Sequence, residues 1–114
     1  MDILGLVFAG SATDHRAETA RFFRDVIGLE VVPDPGVDAD MFALPDGTRF
    51  AVAGPREAGE MSRTIGFLVA DLGAAVAELR AAGVAVDDPG ETDRQRYAHF
   101  HAPDGKRYEL VQER

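Results

Sequence analysis

Leu44-Pro-Asp-Gly-Thr-Arg-Phe-Ala-Val52 and Ala102-Pro-Asp-Gly-Lys-Arg-Tyr-Glu-Leu110 are one phrase written twice. Both read x-Pro-Asp-Gly-x-Arg-aromatic-x-aliphatic. Pro-Asp-Gly is turn chemistry: proline presets φ, aspartate hydrogen-bonds the backbone two residues on, and glycine takes positive φ without a Cβ penalty. The alternation that follows is that of a strand with one buried face. Two more pairs keep the register, Pro35-Gly36 with Pro89-Gly90 and Gly28-Leu29 with Gly83-Val84. Three matches in order make the chain two copies of one unit. The first is expected over residues 1–53 and the second over 63–114, with residues 54–62 as a flexible connector.

Working outward, the apolar run Ile3 to Ala9 predicts a strand. Asp14 is the expected N-cap of a helix over Arg16 to Ile27, with Ala20, Phe23 and Ile27 as its buried stripe and Gly28 as its stop. Strands are expected over Leu29 to Val32, Met41 to Leu44 and Arg49 to Ala53. The second copy repeats this order: a strand over Arg63 to Val69, a cap at Asp71, and a stripe of Leu72, Ala75, Val76 and Leu79 at helical spacing. Gly83 ends that helix, and strands over Val84 to Val86, Tyr97 to His101 and Arg107 to Gln112 follow. The expected architecture is a tandem βαβββ fold of the α+β class. The acidic stretches Asp34 to Asp40 and Asp87 to Asp93 read as solvated loops.

Composition narrows the function. The chain has 114 residues, 46% of them hydrophobic, which is the make-up of one globular domain. No apolar run approaches the roughly 20 residues of a membrane helix, and none opens the chain like a secretory signal, so a soluble cytoplasmic protein is expected. Without cysteine there is no thiol nucleophile and no zinc–thiolate site. The net charge of −8 repels nucleic acid and anionic lipid, and it mildly favours cationic small molecules.

The words of the repeat resemble the vicinal oxygen chelate superfamily, which includes glyoxalase I, bleomycin-resistance proteins and extradiol dioxygenases. The resemblance rests on Arg21-Phe-Phe-Arg-Asp-Val-Ile-Gly-Leu29 at a helix end, Val69-Ala-Asp-Leu-Gly-Ala-Ala-Val76 at a strand-to-helix junction, and the final phrase Ala102 to Leu110. It implies an eight-stranded, cupped, mainly antiparallel sheet with helices on the convex side and a site on the concave side. It also implies a homodimer. Within that frame, strand alternation sends Leu6, Phe8, Met41, Arg49, Ala51, Thr64, Leu68, Tyr97, His99 and Glu109 toward a ligand-binding cup.

Metal enzymes of the superfamily take one His, Gln or Glu from each of the first, fourth, fifth and eighth strands. The matching places here hold Phe8, Ala51, Thr64 and Glu109, so no metal and no other cofactor is expected. One alternative stands beside this: His99, His101 and Glu109 share a face and could make a displaced triad. The favoured function is a metal-free binder of a small organic molecule, cationic or aromatic, of the bleomycin-resistance kind. The other is a glyoxalase-like lyase, isomerase or dioxygenase using His99 and Glu109 as catalytic groups. A module whose sheet edge contacts another protein is a third reading.

Overall fold

The computed structural model describes residues 1–55 and 62–114; most of the expected connector lies outside them. Eight strands and two helices follow in the order β1 (Gly5–Ala12), α1 (Arg16–Phe22), a π turn (Phe23–Ile27), β2 (Glu30–Val31), β3 (Asp40–Ala43), β4 (Arg49–Ala53), β5 (Ser62–Leu68), α2 (Leu72–Ala81), β6 (Gly90–Glu91), β7 (Gln95–His101) and β8 (Arg107–Glu113). The chain divides into two compact units, Phe8–Arg63 and a second made of Met1–Val7 with Thr64–Arg114. Within a mixed parallel and antiparallel pattern, the strands of the first copy neighbour in the order β2-β3-β4-β1 and those of the second in the order β5-β8-β7-β6.

In the Phe8–Arg63 unit, β3 and β4 form the hairpin around Pro-Asp-Gly, with Met41 opposite Ala51 and Phe42 opposite Phe50. β1 runs parallel to β4, Phe8 beside Arg49 and Gly10 beside Ala51. Phe42 and Val52 are fully buried, and the Phe23 ring packs 4.7 Å from that of Phe50.

The second unit repeats the plan. β7 and β8 pair with His99 opposite Glu109 and Ala98 opposite Leu110, and β5 lies parallel to β8 with Gly66 beside Glu109. The Asp71 side chain accepts from the Ala74 N–H at 3.0 Å, capping α2 as expected. Leu72, Ala75 and Val76 bury their stripe against Val69, Ala98 and Leu110, with Leu79 packed alongside.

The first helix departs from expectation. It is α-helical only to Phe22, its N-cap residue is His15, and no side chain caps it; Asp14 does not serve. The π turn that follows takes an extra residue per turn. Phe23 meets Phe50, while Val26 and Ile27 are 70% and 53% exposed, so Ile27 is not a core residue. In the second copy, the expected strand over Val84 to Val86 reduces to a single bridge, Val86 to Phe100. The edge pairing moves to Gly90–Glu91, inside the stretch read as a loop, with Gly90 opposite Tyr97. A Cβ on Gly90 would lie 2.7 Å from the Tyr97 ring, so the ring needs glycine beneath it. Asp40 likewise begins β3, where it accepts from the Arg16 guanidinium at 3.0 Å.

The two Pro-Asp-Gly turns are built alike. Gly47 N donates to Leu44 O, Leu44 N to Thr48 O and Thr48 N to the Asp46 carboxylate, as Gly105 N does to Ala102 O, Ala102 N to Lys106 O and Lys106 N to Asp104. Gly47 and Gly105 have φ of 89° and 77°. A Cβ there costs about 1–2 kcal/mol. We therefore expect Gly47→Ala and Gly105→Ala each to lower the unfolding free energy by about that much in urea titrations. Gly36→Ala, outside the positive-φ set and with no atom closer than 4.0 Å, should change it by less than about 0.5 kcal/mol. The Thr48 N–H holds the Asp46 carboxyl below its usual pKa, so this turn's stabilisation is present at neutral pH and fades as pH falls through the lowered value.

Candidate functional site

The chemistry of the second unit gathers where β7 meets β8. Residues opposite each other in an antiparallel pair point to the same face. The register therefore lines up Tyr97 with Val111, His99 with Glu109 and His101 with Arg107 on the face away from α2. Glu109 is 6% exposed, and a carboxylate that deep needs a donor. It has one: His99 Nε2 lies 2.7 Å from Glu109 Oε2. The His99 side chain keeps 21% of its surface exposed, so the imidazole can be reached while the carboxylate is sheltered. The Tyr97 ring packs 5.4 Å from that of His99, and Tyr97 itself rests on Gly90. Gly90, Tyr97, His99 and Glu109 thus form one continuous arrangement that holds the imidazole.

This geometry suits acid/base chemistry. With the proton on Nε2, His99 donates to Glu109 and leaves Nδ1, which has no hydrogen-bond partner among the described residues, as the basic nitrogen. A neighbouring carboxylate orients the ring and stabilises the imidazolium formed when Nδ1 takes a proton.

Other expected site residues fall in different places. On β5, Thr64 is buried and Leu68 is half-buried, while Leu6 on β1 is 60% exposed. His101 is exposed opposite Arg107 and does not join His99 and Glu109. Among the described residues no group of three His, Asp or Glu is placed to hold a metal ion.

In the other unit, Met41 and Ala51 are buried opposite one another, and the Phe8 ring lies over Gly10, whose Cβ would meet it at 3.0 Å. Arg49 is half-buried between the strand positions of Phe8 and Ala43. The buried Nη1 of Arg49 has no hydrogen-bond partner, and nothing in the sequence alone marks it.

The metal arrangement implied by the resemblance does not fit these residues. Phe8 and Ala51 have no donor atom, the Thr64 hydroxyl is a poor ligand, and the Glu109 oxygen is engaged by His99.

The repeat makes the contrast clear. Gly10 beside Ala51 corresponds to Gly66 beside Glu109, and Met41 opposite Ala51 corresponds to His99 opposite Glu109. One copy fills the position with an apolar pair, the other with a hydrogen-bonded ionisable pair. An apolar cavity of about 350 Å³ in the second unit, lined by Ile3, Phe67, Leu79, Phe100, Tyr108 and Leu110, lies on the α2 face and holds none of this chemistry.

Comparison with known proteins agrees with this architecture. Among solved structures, methylmalonyl-CoA epimerase from Mycobacterium tuberculosis is similar with a TM-score of 0.75 and 19% identity, over 96% of this chain and 88% of that one. A variant of the Streptomyces coelicolor methylmalonyl-CoA epimerase, in complex with 2-nitronate-propionyl-CoA, gives 0.72 and 24% over 97% and 98%. A Legionella pneumophila structure described as an NAD-dependent benzaldehyde dehydrogenase gives 0.65 and 14% over 94% and 98%. At these identities the likeness is one of fold. A search of the curated proteins gives no match. The model of the glyoxalase-like domain family matches residues 6–111, nearly the whole chain, with both copies of the repeat. The chain belongs to the glyoxalase-like domain family, within the vicinal oxygen chelate superfamily.

Proposed function

We propose that the protein binds a small organic molecule without a metal ion, and that His99 with Glu109 is the polar centre of that site. The observation that carries this reading is the pair itself: a buried carboxylate donated to at 2.7 Å by a partly exposed imidazole. A structural pair would serve as well with both partners sealed from solvent. The apolar pair at the repeat-equivalent position, Met41 and Ala51, supports the view that the fold does not require polar residues there. The resemblance implies a homodimer, which would offer two such sites.

A second reading has its own support. His99, oriented by Glu109, is arranged as a general base, and the similar structures include epimerases, one of them in complex with methylmalonyl-CoA. In this reading Nδ1 removes a proton from carbon next to a carbonyl group and returns it, and Glu109 stabilises the imidazolium in between. The net charge of −8 opposes a polyanionic CoA ester, so a smaller acid or ketone is the better substrate class.

The stability test uses the repeat. His99→Met alone leaves Glu109 buried without its donor and is expected to cost about 1–3 kcal/mol. The double change His99→Met with Glu109→Ala copies the Met41–Ala51 pair and should return stability to near that of the unaltered protein. Urea unfolding measures both. A double variant no more stable than the single one would mean that the pair is structural.

The functional test is a ligand panel read by calorimetry in excess chelator. Saturable binding that the double variant loses supports the binder. For the second reading, exchange of the α-proton of methylmalonyl-CoA and of small keto acids is followed in D2O by NMR. His99→Gln should slow any exchange on the order of 100-fold, as the loss of a general base does. An unchanged rate removes His99 from the mechanism.

A further inference from the structure

Arg49 opens β4 with its Nη1 buried and without a hydrogen-bond partner. No other atom of its guanidinium has a hydrogen bond or ion pair among the described residues, although the chain carries twenty Asp and Glu. Arg16, Arg24, Arg80 and Arg114 each meet a carboxylate at 2.6–3.5 Å; Arg21, Arg63, Arg94, Arg96 and Arg107 also lack an ion pair among the described residues, but of these unpaired arginines only Arg49 has a buried nitrogen without a partner. The reason is local. The register neighbours that share its face are Phe8 on β1 and Ala43 on β3, and two residues further on come Ala51, Met41 and Gly10. None of these side chains has an acceptor atom. A guanidinium carries five N–H donors in a planar fork and never loses its charge in proteins. Keeping one of its nitrogens dry and unbonded is unfavourable, and the sequence around it offers nothing to relieve it.

The opposite charge at the candidate site is already answered. Glu109 has His99 as its donor, so it does not call for a cationic ligand. What the structure leaves without a partner is a donor. We propose that Arg49 is an anion anchor within the Phe8–Arg63 unit, its guanidinium fork receiving the carboxylate of a small organic molecule. This rests on the reading of the protein as a small-molecule binder and replaces the cationic class expected from net charge. Net charge acts through solvent, where charges beyond about 8 Å are screened at physiological salt; a contact with a half-buried guanidinium is not screened in that way.

The test compares benzoate, benzamide and benzamidine, which share a ring and differ in charge, by calorimetry and NMR titration. Benzoate should bind the unaltered protein, and Arg49→Met should weaken it about tenfold or more, as expected for loss of a charge-assisted bidentate contact. Arg21→Met, at an exposed arginine on α1, should leave benzoate binding unchanged. Binding of benzamide or benzamidine in place of benzoate would overturn the anion assignment while leaving the small-molecule reading in place. Failure of all three would overturn the anchor, and a melting temperature lowered by Arg49→Met would then assign the guanidinium a structural role. An unpartnered guanidinium predicts the reverse, a melting temperature unchanged or raised by Arg49→Met. Benzoate binding that persists in Arg49→Met likewise overturns the proposal.

Discussion

The turn that Pro-Asp-Gly makes twice sets the register of two hairpins, and nearly every other feature depends on that register. Gly47 and Gly105 close their turns at positive φ, so β3 pairs with β4 and β7 with β8 in only one alignment. A slip by one residue would turn every side chain of the strand to the other face. With the observed alignment, Phe42, Phe50, Ala98 and Leu110 are directed to the helix-bearing side, and His99 and Glu109 to the opposite one. A backbone constraint of three residues therefore separates core from chemistry.

On that scaffold the two copies have diverged at equivalent points. Met41 and Ala51 face each other as ordinary apolar packing, whereas His99 and Glu109 occupy the corresponding places with a short hydrogen bond. Burying a carboxylate is unfavourable unless a donor meets it, and the cross-strand position supplies that donor. Phe8 and Thr64 show the same asymmetry, an aromatic ring in one copy and a hydroxyl in the other. Duplication supplied a frame that either filling can occupy. The ionisable filling sits in one copy only, while the unpartnered guanidinium of Arg49 sits in the other.

Some elements were legible because one local signal decided them. Asp71 caps α2, and Leu72, Ala75 and Val76 repeat at helical spacing, so propensity, cap and stripe agree. The first helix lacks that agreement. Asp14 is a good capping residue by type, yet the N-cap position falls to His15 without a side-chain cap, and Phe23, which opens the π turn, packs on Phe50. Val84 to Val86 looked like a strand because β-branched residues favour one. The edge pairing instead goes to Gly90–Glu91, since only a residue without Cβ accommodates the Tyr97 ring.

The sequence by itself determined the tandem repeat, the α+β class, the turns and the faces of the long strands, because each is encoded within a few neighbouring residues. It also placed His99 and Glu109 on one face, through alternation about a turn of known length. Tertiary structure decided that these two meet in a hydrogen bond, that His101 stands apart, and that Arg49 lacks an acceptor. Tertiary structure likewise placed the first seven residues of the chain with the second unit. Such outcomes depend on distances between strands remote in sequence and on which atoms lose contact with water, and no local pattern of residue types contains either quantity.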